Sequence, residues 1–320
     1  MDLALLIDNL TNPALLFFIL GILAVCVKSD LEIPPSSSKF ISLYLLFSIG
    51  FKGGQELSHE AFSLEIMFSM FFGVAIALLI PVYSFFILRK RLSVYDSVAL
   101  SAAYGSVSAV TFVTAASYLE TMGLNLHGHM VAMMALMESP AIIAGLVLLF
   151  LFNKKNKTKM SIANVLKHSL TNGSVLLIIG SLIVGFMADA KQAEGIKPFT
   201  DDIFKGFLAI FLLDMGIISG RKLNSLVKKG WFPFAFAIVM PLINGITIGL
   251  LSSIVTDDIS NRFIFAILAA SASYIAVPAA MKITVPKANP GLYLPMALAV
   301  TFPVNITIGM PIYFTVVQLV

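Results

Sequence analysis

The stretches Ser106-Val-Ser108-Ala-Val-Thr111-Phe-Val-Thr114-Ala-Ala116 and Ser271-Ala-Ser273-Tyr-Ile-Ala-Val-Pro278-Ala-Ala-Met281 stand about 165 positions apart and read as copies of one another. Each places two serines two apart, then small residues, inside an apolar segment long enough to cross a bilayer. From Ser101 to Ser117 there is no Leu or Ile, and the second run carries a proline. Paired, interrupted hydrophobic segments at matching positions of two halves point to the binding site of a transporter.

Working outward, the 320 residues are 58% hydrophobic and 12% charged, with a mean hydropathy of +0.95. A soluble domain carries about 25% charged residues. Sparsely charged windows of membrane-spanning length recur at 13–27, 39–56, 62–88, 96–118, 128–152, 172–188, 202–220, 231–255, 261–281 and 291–319. The expected fold is an all-α polytopic membrane protein of ten transmembrane helices, with helices four and nine broken.

Orientation follows from the cations. With the N-terminus outside, the outside loops hold Lys52, Lys191, Lys197, Lys205 and Arg262, and the other sixteen of the 21 Lys and Arg fall inside. The positive-inside rule therefore places both termini outside. The basic clusters become topology signals, and nucleic-acid binding drops out. Asp2 and Asp8 stand where a cleavable signal peptide would be basic, so none is expected. Cys26 is the chain's one cysteine and cannot form an intrachain disulfide.

The duplication reaches beyond the opening pair. Gly50, Gly54 and Leu57 match Gly216, Gly220 and Leu223 at an offset of 166, and Pro140 and Pro303 lie 163 apart. Residues 1–152 and 169–320 are then two five-helix repeats joined by a cytoplasmic linker, 153–168. An odd number of helices per repeat inverts the second copy and puts the substrate site near the midplane.

Helices interrupted near Gly105–Ser108 and Ala270–Ser273 would present N–H groups that bind anions. Ser106, Ser108, Thr111, Ser271 and Ser273 add hydroxyls, and freed carbonyls suit a cation. The plainer alternative is that small residues and serines allow close helix packing. Glu138 falls mid-helix, where an acid costs about 2.5–3.5 kcal/mol and by default suggests function. It reads as a cation or proton group, as support for the break, or as a buried hydrogen-bond partner. Asp214 invites the same reading, although its repeat counterpart is Ser48. Thr301 and Asn305 flank Pro303 as cation ligands or interhelical hydrogen-bond partners. His127 and His129 lack a nearby third ligand in the sequence and read as solvated helix-end residues, so no metal is expected beyond sodium. Lys52 reads as a snorkelling lysine. No phosphate-binding loop, H-E-x-x-H pattern or covalent-catalysis constellation is present, so the chain is not expected to be an enzyme.

Ile49-Gly50-Phe-Lys-Gly-Gly54, Gly105-Ser-Val-Ser108 with Thr111, Leu119-Glu120, Ser139-Pro140-Ala141, Ala269-Ala-Ser-Ala-Ser273 and Ala288-Asn289-Pro290 together resemble the sodium-dependent bicarbonate transporter family of the SbtA type, over nearly the whole chain. The resemblance implies five-plus-five inverted repeats, a core domain moving against a gate domain, a homotrimer in the bacterial inner membrane, and a PII-like cytoplasmic regulator of some members. It implies a small inorganic anion held between the broken helices by Gly105, Ser106, Val107, Ser108, Ala109, Ser271, Ala272, Ser273 and Tyr274, with Na+ as coupling ion near Thr111, Glu138 and Asn305. The chain departs from the family pattern at Ala109 and Val110, where Ser and Gly are expected. It departs again at Tyr274, Ala276 and Val277, where an acidic residue, Ser and Gly are. The expected function is sodium-coupled symport of bicarbonate or a similar small monovalent anion by alternating access. The rivals are a cation/proton antiporter using Glu138 and Asp214, and a non-transporting membrane sensor.

Overall fold

The computed structural model describes residues 11–61, 63–152, 171, 173–227 and 229–319, and among these it contains helices and no strand. The helices are α1 (Pro13–Cys26), α2 (Pro35–His59), α3 (Leu64–Leu88), α4 (Val94–Gly105), α5 (Ala109–Thr121), α6 (Gly128–Phe152), α7 (Gly173–Met187), α8 (Ala190–Lys197), α9 (Phe204–Val227), α10 (Trp231–Leu251), α11 (Ile259–Ala270), α12 (Ala276–Thr284) and α13 (Pro290–Gln318). The expected linker 153–168 lies outside the described residues.

Among the described residues, six segments are long and apolar enough to cross a membrane: Leu64–Leu88, Val94–Thr121, Gly128–Phe152, Ala190–Leu223, Trp231–Ile254 and Pro290–Gln318. Pro13–Cys26, Gly173–Met187 and Ile259–Ala270 are apolar but shorter. The exposed side chains include Phe17, Leu20, Phe68, Phe71, Phe86, Phe150, Val184 and Phe186. An apolar exterior of that extent suits lipid and not water.

Local chemistry sets the helix ends. Ser63, Ser93, Ser108 and Asp258 each stand in extended backbone before a helix and accept an N–H of its first turn. At the end of α5, Gly123 takes φ +71° while Gly123 N–H and Leu124 N–H donate to Glu120 and Leu119 carbonyls. The end of α1 repeats that closure, with Lys28 at φ 57°. In α13, Pro295, Pro303 and Pro311 each remove a donor, and the stretches Met296–Thr301 and Asn305–Gly309 are π-helical.

The helices sort into two bundles. One contains α1, α2, α7 and α9, with α1 packed along α9 and α2 along α7. The other contains α3 to α6 and α10 to α13. Both pairs in the first bundle close over glycine. A Cβ on Gly54 would meet the Leu182 carbonyl oxygen at 2.1 Å, and one on Gly216 would meet the Phe18 carbonyl oxygen at 2.1 Å. Gly50 faces α7 and Gly220 faces α1 in the same manner, one turn away. The glycines matched at an offset of 166 therefore occupy matching places in the two helix pairs.

The second bundle wraps the two interruptions. Phe112, Leu119, Met130, Met137, Phe263, Phe265, Ile267 and Tyr313 are fully or almost fully buried around them. Asp96, in the first turn of α4, accepts from Asn289 N–H at 2.8 Å and fixes the start of α13 to it.

Candidate functional site

The chain leaves helical geometry between α4 and α5 and again between α11 and α12, as the two serine pairs predict. The two breaks hold each other. Ser108 N–H donates to Ser271 Oγ at 3.1 Å, and Ser273 N–H donates to the Ala103 carbonyl at 2.8 Å. Ser271 Oγ donates in turn to the Leu268 carbonyl at 2.9 Å. Ser108 Oγ accepts from Thr111 N–H at 3.2 Å, and Ser273 Oγ accepts from Val277 N–H at 3.3 Å. Ser108 therefore caps α5, and Ser273, two residues before the Ile275 cap position of α12, takes up one first-turn N–H of that half-helix.

Neighbouring helices satisfy the carbonyls released where α11 ends. Asn244 Nδ2 donates to the Ala269 carbonyl at 3.2 Å, and Asn305 Nδ2 donates to the Ala270 carbonyl at 2.8 Å. The Tyr83 and Tyr313 hydroxyls hold the Asn244 and Asn305 amide oxygens at 2.7 and 2.9 Å. Thr301 donates to the Ala237 carbonyl at 2.8 Å and bonds the Tyr104 hydroxyl at 2.7 Å. Of the two readings open for Thr301 and Asn305, interhelical bonding is the one their contacts display. Asn244, Tyr83 and Tyr104 were missed by sequence reasoning. The signal was a lone Asn in an apolar helix, whose partner lies 161 positions away.

Val107, Ser108, Ala109, Glu138, Ser273, Tyr274, Ile275, Ala276 and Ser174 enclose a cavity of about 20 Å³. That is room for about one water. Glu138 thus joins both serine pairs from α6, although neither Thr111 nor Asn305 lines the cavity. Ser106, Val107, Ser271 and Ala272 are buried at the break itself, Gly105 ends α4, and Ser106 Oγ and Glu138 Oε1 are buried without a partner. An unsatisfied carboxylate oxygen at this depth is expensive, and it suits a cation or a proton.

Tyr274 and Ile275 separate this cavity from a larger one of about 470 Å³ between the bundles, lined also by Glu32, Ser38, Lys39, Asp214, Arg221 and Leu298. Asp214 there accepts a hydrogen bond from Ser38 across to α2. The Tyr274 ring packs edge-on against Phe302 at 6.2 Å, and its hydroxyl lies beside the Ser108 side chain without completing a well-formed hydrogen bond. Tyr274 therefore narrows the pocket while its hydroxyl stays beside Ser108, which lines the same cavity.

Two expectations change at the end that carries residues 60 and 127. Lys52 is ion-paired with Glu120 at 2.9 Å and Asp201 at 2.7 Å, which replaces the snorkelling reading. His129 is buried and bonded through Nδ1 to Glu60 Oε2 at 2.8 Å, while His127 lies between Glu60 and Asp258 at 3.5 and 3.4 Å. His129 is therefore no solvated helix end, and His127, though part-exposed, is held by partners that follow α2 and start α11. Asp258, then Glu60, push the His127 ring up to about 10. Burial pushes the Glu60 carboxyl up, but its bonds to His127 and His129 outweigh that and hold it well below the ordinary range.

A chain of long apolar helices with two interrupted helices bonded back to back around a buried acid has the form of a multi-pass membrane transporter. The chain belongs to the Na+-dependent bicarbonate transporter superfamily, whose model matches residues 13–318. That is a transporter family and not an enzyme family. No curated protein matches the chain.

Proposed function

We propose that the protein is a sodium-coupled symporter of bicarbonate or a similarly small monovalent anion, working by alternating access. The observation that carries this is the reciprocal bond between the breaks, Ser108 to Ser271 and Ser273 to Ala103, beside the Ser108–Ser273–Glu138 cavity. The first residues of α5 and α12, Ala109 and Ala276, both line that cavity, and N–H groups at helix starts suit an anion. Glu138 and Ser106 carry the unpaired oxygens that suit sodium, and Thr111, whose N–H is bonded to Ser108 in the first turn of α5, completes the proposed sodium site. Asn305 supports the site by holding the end of α11.

Two inverted five-helix repeats, with both termini outside, fit the matching glycine contacts of α1–α9 and α2–α7. In that orientation the 470 Å³ cavity faces the cytoplasm, and Lys52, Glu120 and Asp201 close the outer end. Release of an anion then requires Tyr274 to swing aside. Trimeric assembly and a PII-like regulator remain part of this proposal through the family alone.

With one sodium per monovalent anion the charges cancel, so the sodium ratio alone sets the limit, and each tenfold ratio, about 1.4 kcal/mol, supports tenfold accumulation. The test is uptake of labelled bicarbonate into proteoliposomes with and without an inward sodium gradient, beside a Ser108→Ala/Ser273→Ala variant checked for folding by its melting temperature. Sodium-driven uptake that the variant loses supports the reading. Sodium or proton flux without anion dependence, abolished by Glu138→Gln, supports instead the cation/proton antiporter that the unpaired Glu138 oxygen favours.

A further inference from the structure

The residues at the outer end assemble a second polar centre, distant in sequence from the serine pairs. Glu60 follows the last turn of α2 and folds over the start of α6. Its Oε1 accepts from Gly128 N–H at 2.7 Å and lies 3.5 Å from His127 Nδ1, and its Oε2 lies 2.8 Å from His129 Nδ1. The three ligand atoms, one from each residue, lie within 4.8 Å of one another. Around a tetrahedral zinc ion with ligands about 2.0–2.2 Å away, neighbouring ligand atoms stand about 3.2–3.6 Å apart. The widest-set pair would have to close by up to about 1.5 Å, which a rotation of the part-exposed His127 ring can supply.

The surroundings are those a metal centre uses. The far nitrogen of His127 faces Asp258 Oδ2 at 3.4 Å, the carboxylate–imidazole arrangement that orients a ligating histidine. Asp258 is itself fixed by Asn261 N–H at 2.8 Å, and Gly128 N–H fixes Glu60. The His129 ring is buried; without an ion its Nδ1–H donates to Glu60 Oε2, and its Nε2, which meets no protein partner, can take the proton when Nδ1 turns to a metal. His127 is 37% exposed, which leaves a coordination position open to water. Without an ion, a proton on His127 holds the two carboxylates together, and a metal would have to displace it. A proton needs one imidazole, however, and two converge here on one carboxylate.

We propose that Glu60, His127 and His129 form a site for a divalent transition-metal ion of the zinc class. Two imidazoles and one carboxylate favour zinc, copper or nickel over the hard cations magnesium and calcium. An ion there ties the α2–α3 corner to the start of α6. If the transport reading above is right, externally applied zinc therefore inhibits uptake by holding the outer end closed.

The experiment is zinc titration by calorimetry of the detergent-purified full chain, in a Cys26→Ser background because Cys26 is an exposed thiol. One zinc per chain is expected, with magnesium and calcium failing to compete. His127→Gln should lose the site; its melting temperature without metal falls modestly, as a lost part-exposed ion pair predicts, while the chain stays folded. Asp258→Asn should weaken binding about 10–100-fold without changing the stoichiometry. Zinc binding equal in the parent and His127→Gln proteins, or no binding to the parent, overturns the proposal. The binding arm stands apart from transport. Uptake assays with zinc outside test only the inhibition, and binding without inhibition supports the site while removing its link to transport.

Discussion

Gly54→Ala is the sharpest test of how the first bundle is built. The added methyl would meet the Leu182 carbonyl oxygen at 2.1 Å, Phe186 N at 2.7 Å and Gly185 Cα at 2.9 Å. All three are backbone atoms, so no side chain can rotate away, and α2 and α7 must part by about 1 Å to restore ordinary contact. Overpacking of this kind costs about 1–3 kcal/mol, against about 0.5–1 kcal/mol gained from replacing a helical glycine with alanine. The balance is a loss of about 1–2 kcal/mol. Gly206→Ala, in α9 with nothing within 4 Å, supplies the control and should gain up to about 1 kcal/mol. At about 2 °C per kcal/mol for a chain of this length, thermal unfolding in detergent should separate the two variants by about 4–6 °C. Gly216→Ala, which meets the Phe18 carbonyl oxygen at 2.1 Å, should lose as much as Gly54→Ala. If Gly54→Ala melts at or above Gly206→Ala, the glycine stripe is not what closes α2 on α7.

Asn305→Ala strips partners from the buried Ala270 carbonyl and Tyr313 hydroxyl. At about 1–3 kcal/mol for each orphaned group it should be among the more destabilising single changes, read by melting temperature; an unchanged value would mean water replaces the amide. Lys52→Gln removes two part-exposed ion pairs, so its stability cost should stay below about 1 kcal/mol. A Ser273→Cys thiol in a Cys26→Ser background should nonetheless react faster with an impermeant reagent applied outside, and an unaltered rate would show that Lys52 does not close that end. Lys28→Gly relieves a non-glycine residue held at φ 57° and should raise the melting temperature, as about 1 kcal/mol of left-handed strain predicts. A fall would mean the lysine side chain makes up that strain.

The features that sequence reading found share a physical origin: each breaks a pattern that the bilayer imposes. Serines without Leu or Ile inside a span, a proline after them and an acid mid-helix are all visible against an apolar background, and the structure places breaks at both serine pairs and Glu138 at the cavity. The glycines at an offset of 166 were legible for the same reason, since close backbone approach tolerates no side chain. What stayed hidden were pairings. Nothing around Lys52 announces Glu120 and Asp201, and nothing around His127 announces Glu60, because those partners come from other helices. Tyr274 illustrates a different limit. Its sequence position suggested either a donor or a plug, and its place between Phe302 and Ser108, which fits both, could not be read from the sequence.

A broken helix in hydrocarbon must find partners for the groups it releases, and here nearly every polar side chain near the breaks is spent on that task. Ser108 and Ser273 take up N–H groups of the new helix starts, Ser271 bridges the two breaks, and Asn244 and Asn305 hold the carbonyls at the end of α11. Such groups set the shape of the site but have little capacity left to distinguish one anion from another. The polar atoms still uncommitted are Ser106 Oγ, Glu138 Oε1 and the Tyr274 hydroxyl. On the symport reading proposed above, selectivity and coupling would rest mainly on those three. The departure at Tyr274 therefore falls on one of the few positions able to change what the protein carries, while leaving the scaffold around it intact.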